Sequence, residues 1–284
     1  MSTAAATSTG TRMAFAPPAA LARMVRYFHV ECDSAGAIVV PASPWATVSF
    51  FIRGGSGGAG TLDGTDGPLL CGPLGKPFPG QWRAGTCFVA AQLEPRYLYL
   101  LFGVDAATMT DNPRNLIDVA PRLNIAQLED TLQAGADPAA WVAALGDWLL
   151  RLLMVDARGG EPFAVPRPLL GLSTRDLADQ FGLSVRQLER RYLAAYGMPV
   201  RASRRMDRYV DAMAALLRGP LGHGGLTRIA VDAGYHDQSH MMRDFAHYTG
   251  MGPTALAGSV ASEVPQLRLF RYPPQAHGLV LRGR

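Results

Sequence analysis

The sequence predicts an α+β multidomain protein, in which a β-rich small barrel or sandwich with a helical extension precedes an all-α domain. Three observations lead to this fold class. Apolar, aromatic and β-branched segments separated by Gly and Pro clusters dominate the front of the chain. The hydrophobic pattern then changes to a helical period. In the last third, two similar segments each indicate a helix, a glycine turn and a second helix, and one long helix joins them.

Composition divides the 284 residues into four expected parts. We expect a flexible tail over residues 1–22, which are rich in Ala, Ser, Thr and Pro and lack the apolar core of a secretory signal. Residues 23–165 are the predicted β-rich domain with its helical extension. Residues 166–258 are the predicted all-α domain, after a Pro- and Gly-rich boundary. We expect an irregular or weakly extended tail over residues 259–284.

Within the β-rich domain, apolar segments predict the strands and a later periodic segment predicts the helical extension. The expected strands contain AIVV, WATVSFFI, FVAAQL and YLYLLFGV. Asp137 is the expected N-cap of the second of two helices, and Pro138 is its first residue. One apolar face of this helix packs on the barrel or forms a dimer seam. That face contains Trp141, Leu145, Trp148, Leu149 and Leu152.

The segment LADQFGLSVRQLERRYLAAYG, residues 177–197, is echoed by IAVDAGYHDQSHMMRDFAHYTG, residues 229–250. The turn glycines Gly182 and Gly234 lie 52 residues apart, and the landmarks after the turn lie 53 apart. Self-similarity over this length indicates one supersecondary unit used twice. Because each copy is a helix, a glycine-containing turn and a helix, the predicted unit is the helix-turn-helix.

The second helix of each unit has an apolar face and a polar face. Leu188 and Met241 begin apolar rows at helical spacing that should face the core, and Ser184 and Asp237 are the expected N-caps. The outward side chains suit the DNA major groove, where Arg pairs with guanine and Gln with adenine. The predicted base-reading residues are Arg186, Glu189, Arg190, Gln238, Ser239, Met242 and Arg243.

A strong helical segment, VRASRRMDRYVDAMAALLRG, joins the two units and should hold them at a fixed separation. Basic side chains near its beginning are expected to contact phosphates. These are Arg201, Arg204 and Arg205. Residues 1–165 carry 11 Lys and Arg against 14 Asp and Glu, whereas residues 166–284 carry 16 against 9. This asymmetry favours a polyanionic partner for the back half only, and the predicted partner is double-stranded DNA.

Residues 172–257 resemble the AraC-type (arabinose-operon-regulator) family of bacterial transcription factors. The most specific segment is GYHDQSHMMRDFAHYTGMGP, residues 234–253, and LADQFGLSVRQLERRY and GMPV match in the first unit. The resemblance implies that both recognition helices enter successive major grooves on one face of DNA, about 34 Å apart. Family members carry a buttressing helix before the first unit. Here Pro166 and Pro168 require that helix to be short or displaced.

The front half is similar, more weakly, to the β-rich domain that precedes this module in one branch of the family. The matching segments are VVPASPWATVSFFIRGG, CGPLGKPF and YLYLLFGVDAATMTDNP. The resemblance implies a small-molecule effector or a homodimer, with RNA polymerase as a further partner. A constitutive dimeric DNA binder without a ligand is the alternative. Aromatic residues that either line an effector pocket or belong to the core are Trp45, Phe50, Trp82, Tyr97 and Tyr99.

Neither a cofactor nor a metal is expected. The segment GSGGAG, residues 55–60, has the GxGxxG pattern, but turn residues follow it instead of a helix, so we expect a hairpin loop. His29 is the one histidine of the front half, which leaves no ligand cluster there. His236, His240 and His247 lack an acidic or thiol partner, and we expect them at the surface or near the DNA backbone.

Cysteine usage and hydropathy predict a soluble cytoplasmic protein that is not an enzyme. Cys32, Cys71 and Cys87 are odd in number and lack CxxC spacing, so we expect reduced, mostly buried thiols. Asp147 and Arg151 interrupt the longest apolar stretch, which argues against a membrane span. A DNA-alkylation repair enzyme with a reactive cysteine is a further alternative function, although no cysteine has a grouping that would activate it.

Overall fold

The computed structural model describes residues 10–56, 67–155, 160–218, 224–258 and 274–280, together with Pro265 and Tyr272. Within these residues the N-terminal part is built on one antiparallel sheet with the strand order β1-β2-β5-β3-β4-β6. The strands are β1 (Thr11–Phe15), β2 (Val25–Val40), β3 (Ala46–Arg53), β4 (Leu69–Cys71), β5 (Phe78–Leu93) and β6 (Arg114–Asn115).

The pleat of the long strands gives the sheet two faces with different roles. Strands β2 and β5 pair antiparallel, with Val30 opposite Val89, and successive side chains point to opposite sides. Phe28, Val30 and Val89 are buried on one face, in the core of the N-terminal part. The intervening residues Tyr27 and His29 belong to the other face, which lies toward the C-terminal helices. The expected barrel or sandwich is therefore a single sheet.

Helices cover the core face of this sheet. They are α1 (Leu98–Phe102), α2 (Ala106–Met109), α3 (Leu116–Val119), α4 (Ile125–Ala134) and α5 (Pro138–Val155). Asp137 accepts a hydrogen bond from the backbone N–H of Ala140 at 2.9 Å, as its predicted capping role requires. The apolar face of α5 packs inward: Leu149 is fully buried, and the ring of Trp148 lies 5.5 Å from that of Phe50. This face of α5 therefore packs against other residues of the same chain.

The C-terminal part is helical, which confirms the predicted fold class. A short 3-10 helix at Arg167–Gly171 stands where the two prolines predict a shortened buttressing helix. The helices that follow are α6 (Thr174–Gln180), α7 (Val185–Tyr196), α8 (Val200–Leu217), α9 (Gly225–Asp232), α10 (Gln238–Thr249) and α11 (Pro253–Gly258). One further helix, α12 (Pro274–Val280), lies near the end of the chain.

Both predicted tails are wrong over the residues that the structure describes. In the N-terminal tail, β1 pairs with β2, so it covers what would be an exposed strand edge, and Leu21 is fully buried. In the C-terminal tail, α12 forms and buries Ala276 and Val280 against Tyr27. Composition misleads in both places because a short amphipathic segment gains its order from the surface it covers rather than from its own propensity.

The segment YLYLLFGV is helical, although we predict a strand. A 3-10 turn at Pro95–Tyr97 leads into α1, and Gly103 forms the C-cap of α1 with φ 71°. Leu98, Leu101 and Phe102 are buried, a spacing of three and four that suits a helix. Short apolar runs rich in aromatic residues fit either structure, and only tertiary packing decides between them.

The expectation of three reduced thiols is also wrong. Cys32 and Cys87 are joined by a disulfide, and Cys71 is free. The pairing follows from the topology, because β2 and β5 are neighbours and bring these residues together across 55 positions of sequence. Sequence spacing alone does not reveal such a contact.

Two other expectations concern loops and membranes. Most of the GSGGAG segment lies outside the described residues. Among the helices that the structure describes, none has both the length and the hydropathy needed to cross a membrane.

Candidate nucleic-acid interface

The two predicted helix-turn-helix units have the same local structure. Helices α6 and α7 form the first unit, and α9 and α10 form the second. In the first turn the N–H of Leu183 donates to the carbonyl of Ala178 at 3.0 Å. In the second the N–H of Tyr235 donates to the carbonyl of Ala230 at 2.8 Å. Gly182 has φ 62° and Gly234 has φ 77°, so both turns use a left-handed residue that glycine adopts without strain.

Side-chain caps fix the first turn of each recognition helix. The side chain of Ser184 accepts from the N–H of Gln187 at 3.2 Å, and Gln187 Oε1 accepts from the N–H of Ser184 at 2.9 Å, which completes a capping box. Asp237 accepts from the N–H of His240 at 2.7 Å. Both predicted N-caps are confirmed. The hydrogen bonds from the backbone N–H of His240 and from His236 lower the pKa of Asp237, which keeps the cap charged.

The predicted inner faces of both recognition helices are buried. Leu188 and Tyr192 of α7 are fully buried in the core of the first unit, and Met241 and Phe245 of α10 in that of the second. Burial of these rows fixes which face of each recognition helix packs on its own unit and which face is turned outward.

All seven predicted base-reading side chains lie outside these cores. Arg186, Arg190, Ser239, Met242 and Arg243 are exposed, and Glu189 and Gln238 are half-buried. Gln238 Oε1 accepts from Thr227 Oγ1 of α9 at 2.9 Å, so its amide is oriented before any partner binds. The site thus offers a row with two guanidinium groups on α7 and a mixed polar row on α10, each within the N-terminal half of its helix.

Two of the three predicted phosphate contacts are engaged within the protein. Arg204 donates through Nη2 to the carbonyl of Leu172 at 2.6 Å, next to the short 3-10 helix. Arg205 donates through Nε to Asp244 at 2.7 Å, and its guanidinium lies 5.3 Å from the Tyr248 ring centre. Arg201 is exposed. We therefore assign structural roles to Arg204 and Arg205. The sequence analysis identified them only as basic residues near the start of a helix.

Helix α8 anchors both units, as predicted for the segment that joins them. Its first residue, Val200, belongs to the core of the first unit, whereas Tyr209 and Met213 belong to the core of the second. The Tyr209 ring packs against Phe245 at 5.4 Å and Tyr248 at 4.8 Å. An ion pair between Arg167 and Asp211 also fastens the short 3-10 helix to α8. The sequence did not indicate this pair or the one between Arg205 and Asp244.

The N-terminal part contacts both recognition helices at their C-terminal ends. Thr110 Oγ1 donates to the carbonyl of Gly197, the C-cap of α7, at 2.7 Å. The N–H of Ala42 donates to the carbonyl of Tyr248 in α10 at 2.8 Å. The capped N-terminal ends carry the predicted reading residues, so one end of each helix is held by the N-terminal part and the other is presented to a partner.

A second candidate site, the interdomain cavity, lies between the sheet and α8 and has a volume of about 190 Å³. Its floor is the face of the sheet that carries Tyr27 and His29, and Tyr209 and Met213 of α8 close it. Two of the five predicted pocket aromatics, Trp45 and Trp82, line this cavity.

The other three predicted pocket aromatics lie elsewhere. Phe50 falls on the core face, because it is two residues from Val48 on β3 and shares its side of the pleat. Tyr97 is also in that core, and Tyr99 is 66% exposed on α1. Phe50 therefore misses the cavity because of its phase on the strand, and Tyr97 and Tyr99 miss it because their segment is helical rather than a strand.

Of the three histidines considered as metal ligands, His236 precedes α10, whereas His240 and His247 belong to it. No group of three or more His, Cys, Asp or Glu side chains within the described stretches of chain could hold a metal ion. His236 Nδ1 lies 3.2 Å from a carboxylate oxygen of Asp237, just before α10.

Comparison with known proteins supports the assignment of the C-terminal part. Residues 177–258 match a family model described as a helix-turn-helix domain. No curated protein matches the chain.

Among solved structures, the chain is similar to ToxT of Vibrio cholerae. A ToxT point variant in the apo form, from strain SCE256, is 9% identical, with 82% of this chain and 97% of that chain covered and a TM-score of 0.42. ToxT of strain O395 is 8% identical, with 83% and 99% covered and a TM-score of 0.39. Wild-type ToxT of strain SCE256 with bound unsaturated fatty acid is 9% identical, with 81% and 94% covered and a TM-score of 0.41.

Proposed function

We propose that this chain, in which residues 177–258 form an AraC-type helix-turn-helix domain, is a sequence-specific transcription regulator that responds to a small molecule. One observation carries the proposal. Two equivalent capped helices bury matching apolar rows and present Arg190 and Arg243 outward at corresponding positions. We assign DNA binding to residues 166–258 and effector sensing to residues 23–165, and we place the protein in the cytoplasm with the DNA it binds.

In this proposal the two rows read base edges in the major groove. The guanidinium groups of Arg186, Arg190 and Arg243 donate to O6 and N7 of guanine, and the oriented amide of Gln238 pairs with adenine. Glu189, Ser239 and Met242 complete the contact surface. The two helices should enter successive grooves about 34 Å apart, the repeat of one duplex turn. Arg201 contributes a phosphate contact that does not depend on sequence.

The interdomain cavity supplies a route from effector to DNA. Tyr209 lines the cavity and also packs on Phe245, a buried residue of the second recognition helix. A molecule that alters the position of Tyr209 therefore acts on the helix that reads DNA through a single layer of contacts. The factor by which such a molecule changes DNA affinity cannot exceed the ratio of its own affinities for the DNA-competent and DNA-incompetent arrangements.

Selection from a random duplex library tests the DNA-binding proposal. The full chain should enrich a sequence motif with two half-sites about one helical turn apart. Removal of Arg190 or Arg243 should erase preference at separate positions within that motif. Enrichment without a motif, or a motif that both variants leave intact, would contradict the assignment of these helices to base reading.

The remaining partner assignments are part of the same proposal. We propose a homodimer, to be checked by sedimentation velocity, and a contact with RNA polymerase, to be checked by transcription from a promoter that carries the selected site. We do not propose thiol chemistry on DNA. Cys32 and Cys87 are bonded to each other, and burial raises the pKa of the free Cys71 to about 12, the opposite of what an activated nucleophile needs.

A further inference from the structure

The interdomain cavity has the size of a compact organic molecule. Its volume of about 190 Å³ is somewhat larger than the roughly 150 Å³ cavity that accommodates benzene in an engineered protein core. Aromatic and aliphatic groups form most of its wall, including Phe78, Phe88, Leu74 and Met213. These properties favour a ligand built on one ring or a short branched chain.

Polar atoms without a partner in the protein mark the wall of this cavity. Trp45 Nε1, Trp82 Nε1, Tyr209 Oη and His29 Nδ1 are buried and have no hydrogen-bond partner among the described residues. An indole N–H can only donate, so both tryptophans require an acceptor. Tyr209 is 2% exposed, which makes an unsatisfied hydroxyl there costly. A ligand with a hydrogen-bond acceptor would therefore satisfy a buried donor that the protein leaves unpaired.

The wall also lacks charge. Its residues in the described chain include no Lys, Arg, Asp or Glu. Burial lowers the pKa of His29 to about 4, an effect that Arg12 adds to and Glu31 opposes, so this imidazole is neutral at ordinary pH. Arg12 Nη2 lies 2.9 Å from Glu31 Oε2, and neither residue of this ion pair lines the cavity.

Arg26 stacks on the Trp45 ring at 3.6 Å but does not line the cavity. An anionic ligand would lose its hydration without a cation at the wall to replace it.

We propose that the interdomain cavity binds a compact, uncharged, largely apolar molecule with a hydrogen-bond acceptor such as a ketone, ester or amide carbonyl. Its role as an effector rests on the function proposed above, whereas its chemistry rests on the cavity alone. The carbonyl oxygen accepts from an indole N–H, and the apolar body fills the space between Phe88 and Met213. A carboxylate of the same shape is excluded by desolvation.

Three probes of similar size test these properties one at a time. Acetophenone has an uncharged acceptor, benzoate carries a charge, and isopropylbenzene has a similar shape without an acceptor. Calorimetry with the full chain at neutral pH should show that acetophenone binds about tenfold more tightly than isopropylbenzene, the equivalent of one hydrogen bond between uncharged groups. Acetophenone should also bind at least about tenfold more tightly than benzoate, because the benzoate charge must be desolvated. Equal or tighter binding of benzoate, equal binding of isopropylbenzene, or no binding of any probe would overturn the proposal.

Variants locate the donor. Trp82→Phe keeps an aromatic ring and removes the N–H, and since Trp82 is half-buried the fold should tolerate it. Acetophenone should lose affinity in this variant or in Trp45→Phe, while isopropylbenzene keeps its affinity in both. Circular dichroism verifies that each variant is folded. Unchanged acetophenone affinity in both folded variants would overturn the proposal.

A separate measurement keeps the two proposals distinguishable. DNA affinity for the selected duplex is measured with and without saturating acetophenone. If the probe binds as expected and DNA affinity does not respond, the cavity assignment stands and effector control of DNA binding fails. If DNA binds with sequence preference and no probe binds, the regulator assignment stands and the ligand chemistry fails.

Discussion

Arg205 on α8 and Asp244 on the second recognition helix form an ion pair at 2.7 Å that fixes how α10 sits on the rest of its domain. The Asp244 side chain is only 1% exposed, whereas that of Arg205 is 40% exposed. Burial alone would lower the pKa of Arg205. The hydrogen bond to Asp244 and the charge of Asp244 act in the opposite direction and help to raise the pKa overall. A charge buried to this degree needs its partner, so the arginine that sequence analysis assigned to phosphate has a structural task.

Removal of Arg205 should destabilise the C-terminal domain. Arg205→Ala leaves the Asp244 carboxylate without its counter-charge and should lower the free energy of unfolding by about 1–3 kcal/mol, a range that allows for the partial exposure of Arg205. Urea unfolding measures the loss. Arg201→Ala removes an exposed arginine of the same helix and should change stability by less than about 0.5 kcal/mol. Equal effects of the two changes would mean that the ion pair contributes nothing.

Base reading and phosphate contact should separate by their dependence on sequence and salt. Arg190→Ala and Arg243→Ala should each cost about 1–3 kcal/mol at a selected site and relax the base preference there. Arg201→Ala should weaken binding to all duplexes alike and reduce the slope of affinity against salt by about one. Fluorescence anisotropy over a salt series measures both. Equal losses on selected and random duplexes for Arg190→Ala would refute its reading role.

The C-cap glycines of the two recognition helices form a matched pair for testing the domain contact. Gly197 has φ 75° and Gly250 has φ 76°, but a Cβ at Gly197 would lie 2.4 Å from Thr110 Oγ1, whereas Gly250 has open space. Gly250→Ala should cost about 1–2 kcal/mol through backbone strain alone. Gly197→Ala should cost about 1–3 kcal/mol more, because the domains must move apart.

Unfolding of both glycine variants in urea measures these differences. The loss of the contact should also make the boundary near residue 165 more accessible to limited proteolysis in Gly197→Ala than in Gly250→Ala. Identical stabilities and cleavage rates would show that the N-terminal part does not constrain α7.

His29 should make stability fall in acid. Its pKa is lowered from 6.5 to about 4 in the folded chain, chiefly by burial, so it is neutral in both states above pH 6.5. As the pH falls from 6.5 toward 4, His29 binds a proton in the unfolded chain but not in the folded chain. The free energy of unfolding therefore drops, by no more than about 3 kcal/mol. Unfolding measured against pH for the native chain and His29→Gln should differ in slope over that window. Parallel curves would contradict the prediction.

The repeated unit could be predicted closely because its signals are local. The helix caps, the glycine turns and the buried rows of α7 and α10 each depend on residues within a few positions of one another, and each was expected from the sequence. The outward position of Arg190 and Arg243 then follows from helical geometry.

Features that depend on distant contacts could not be predicted in this way. The Cys32–Cys87 bond, β1 at the sheet edge and the burial of Phe50 away from the cavity all follow from strand order and register. The internal engagement of Arg204 follows from a carbonyl 32 positions away. A single sequence shows the type of such residues but not the neighbours that determine their role.

Helix α8 belongs both to the core of the second helix-turn-helix unit and to the wall of the interdomain cavity. In the proposed function, Tyr209 and Met213 therefore serve both ligand binding and the support of the second recognition helix. A mutation that retunes effector choice at either residue would also perturb operator recognition, whereas a mutation on the opposite wall, at Trp82 or Phe88, would not. Homologues that respond to new signals should consequently diverge on the sheet side first, and laboratory evolution of an altered biosensor should begin there.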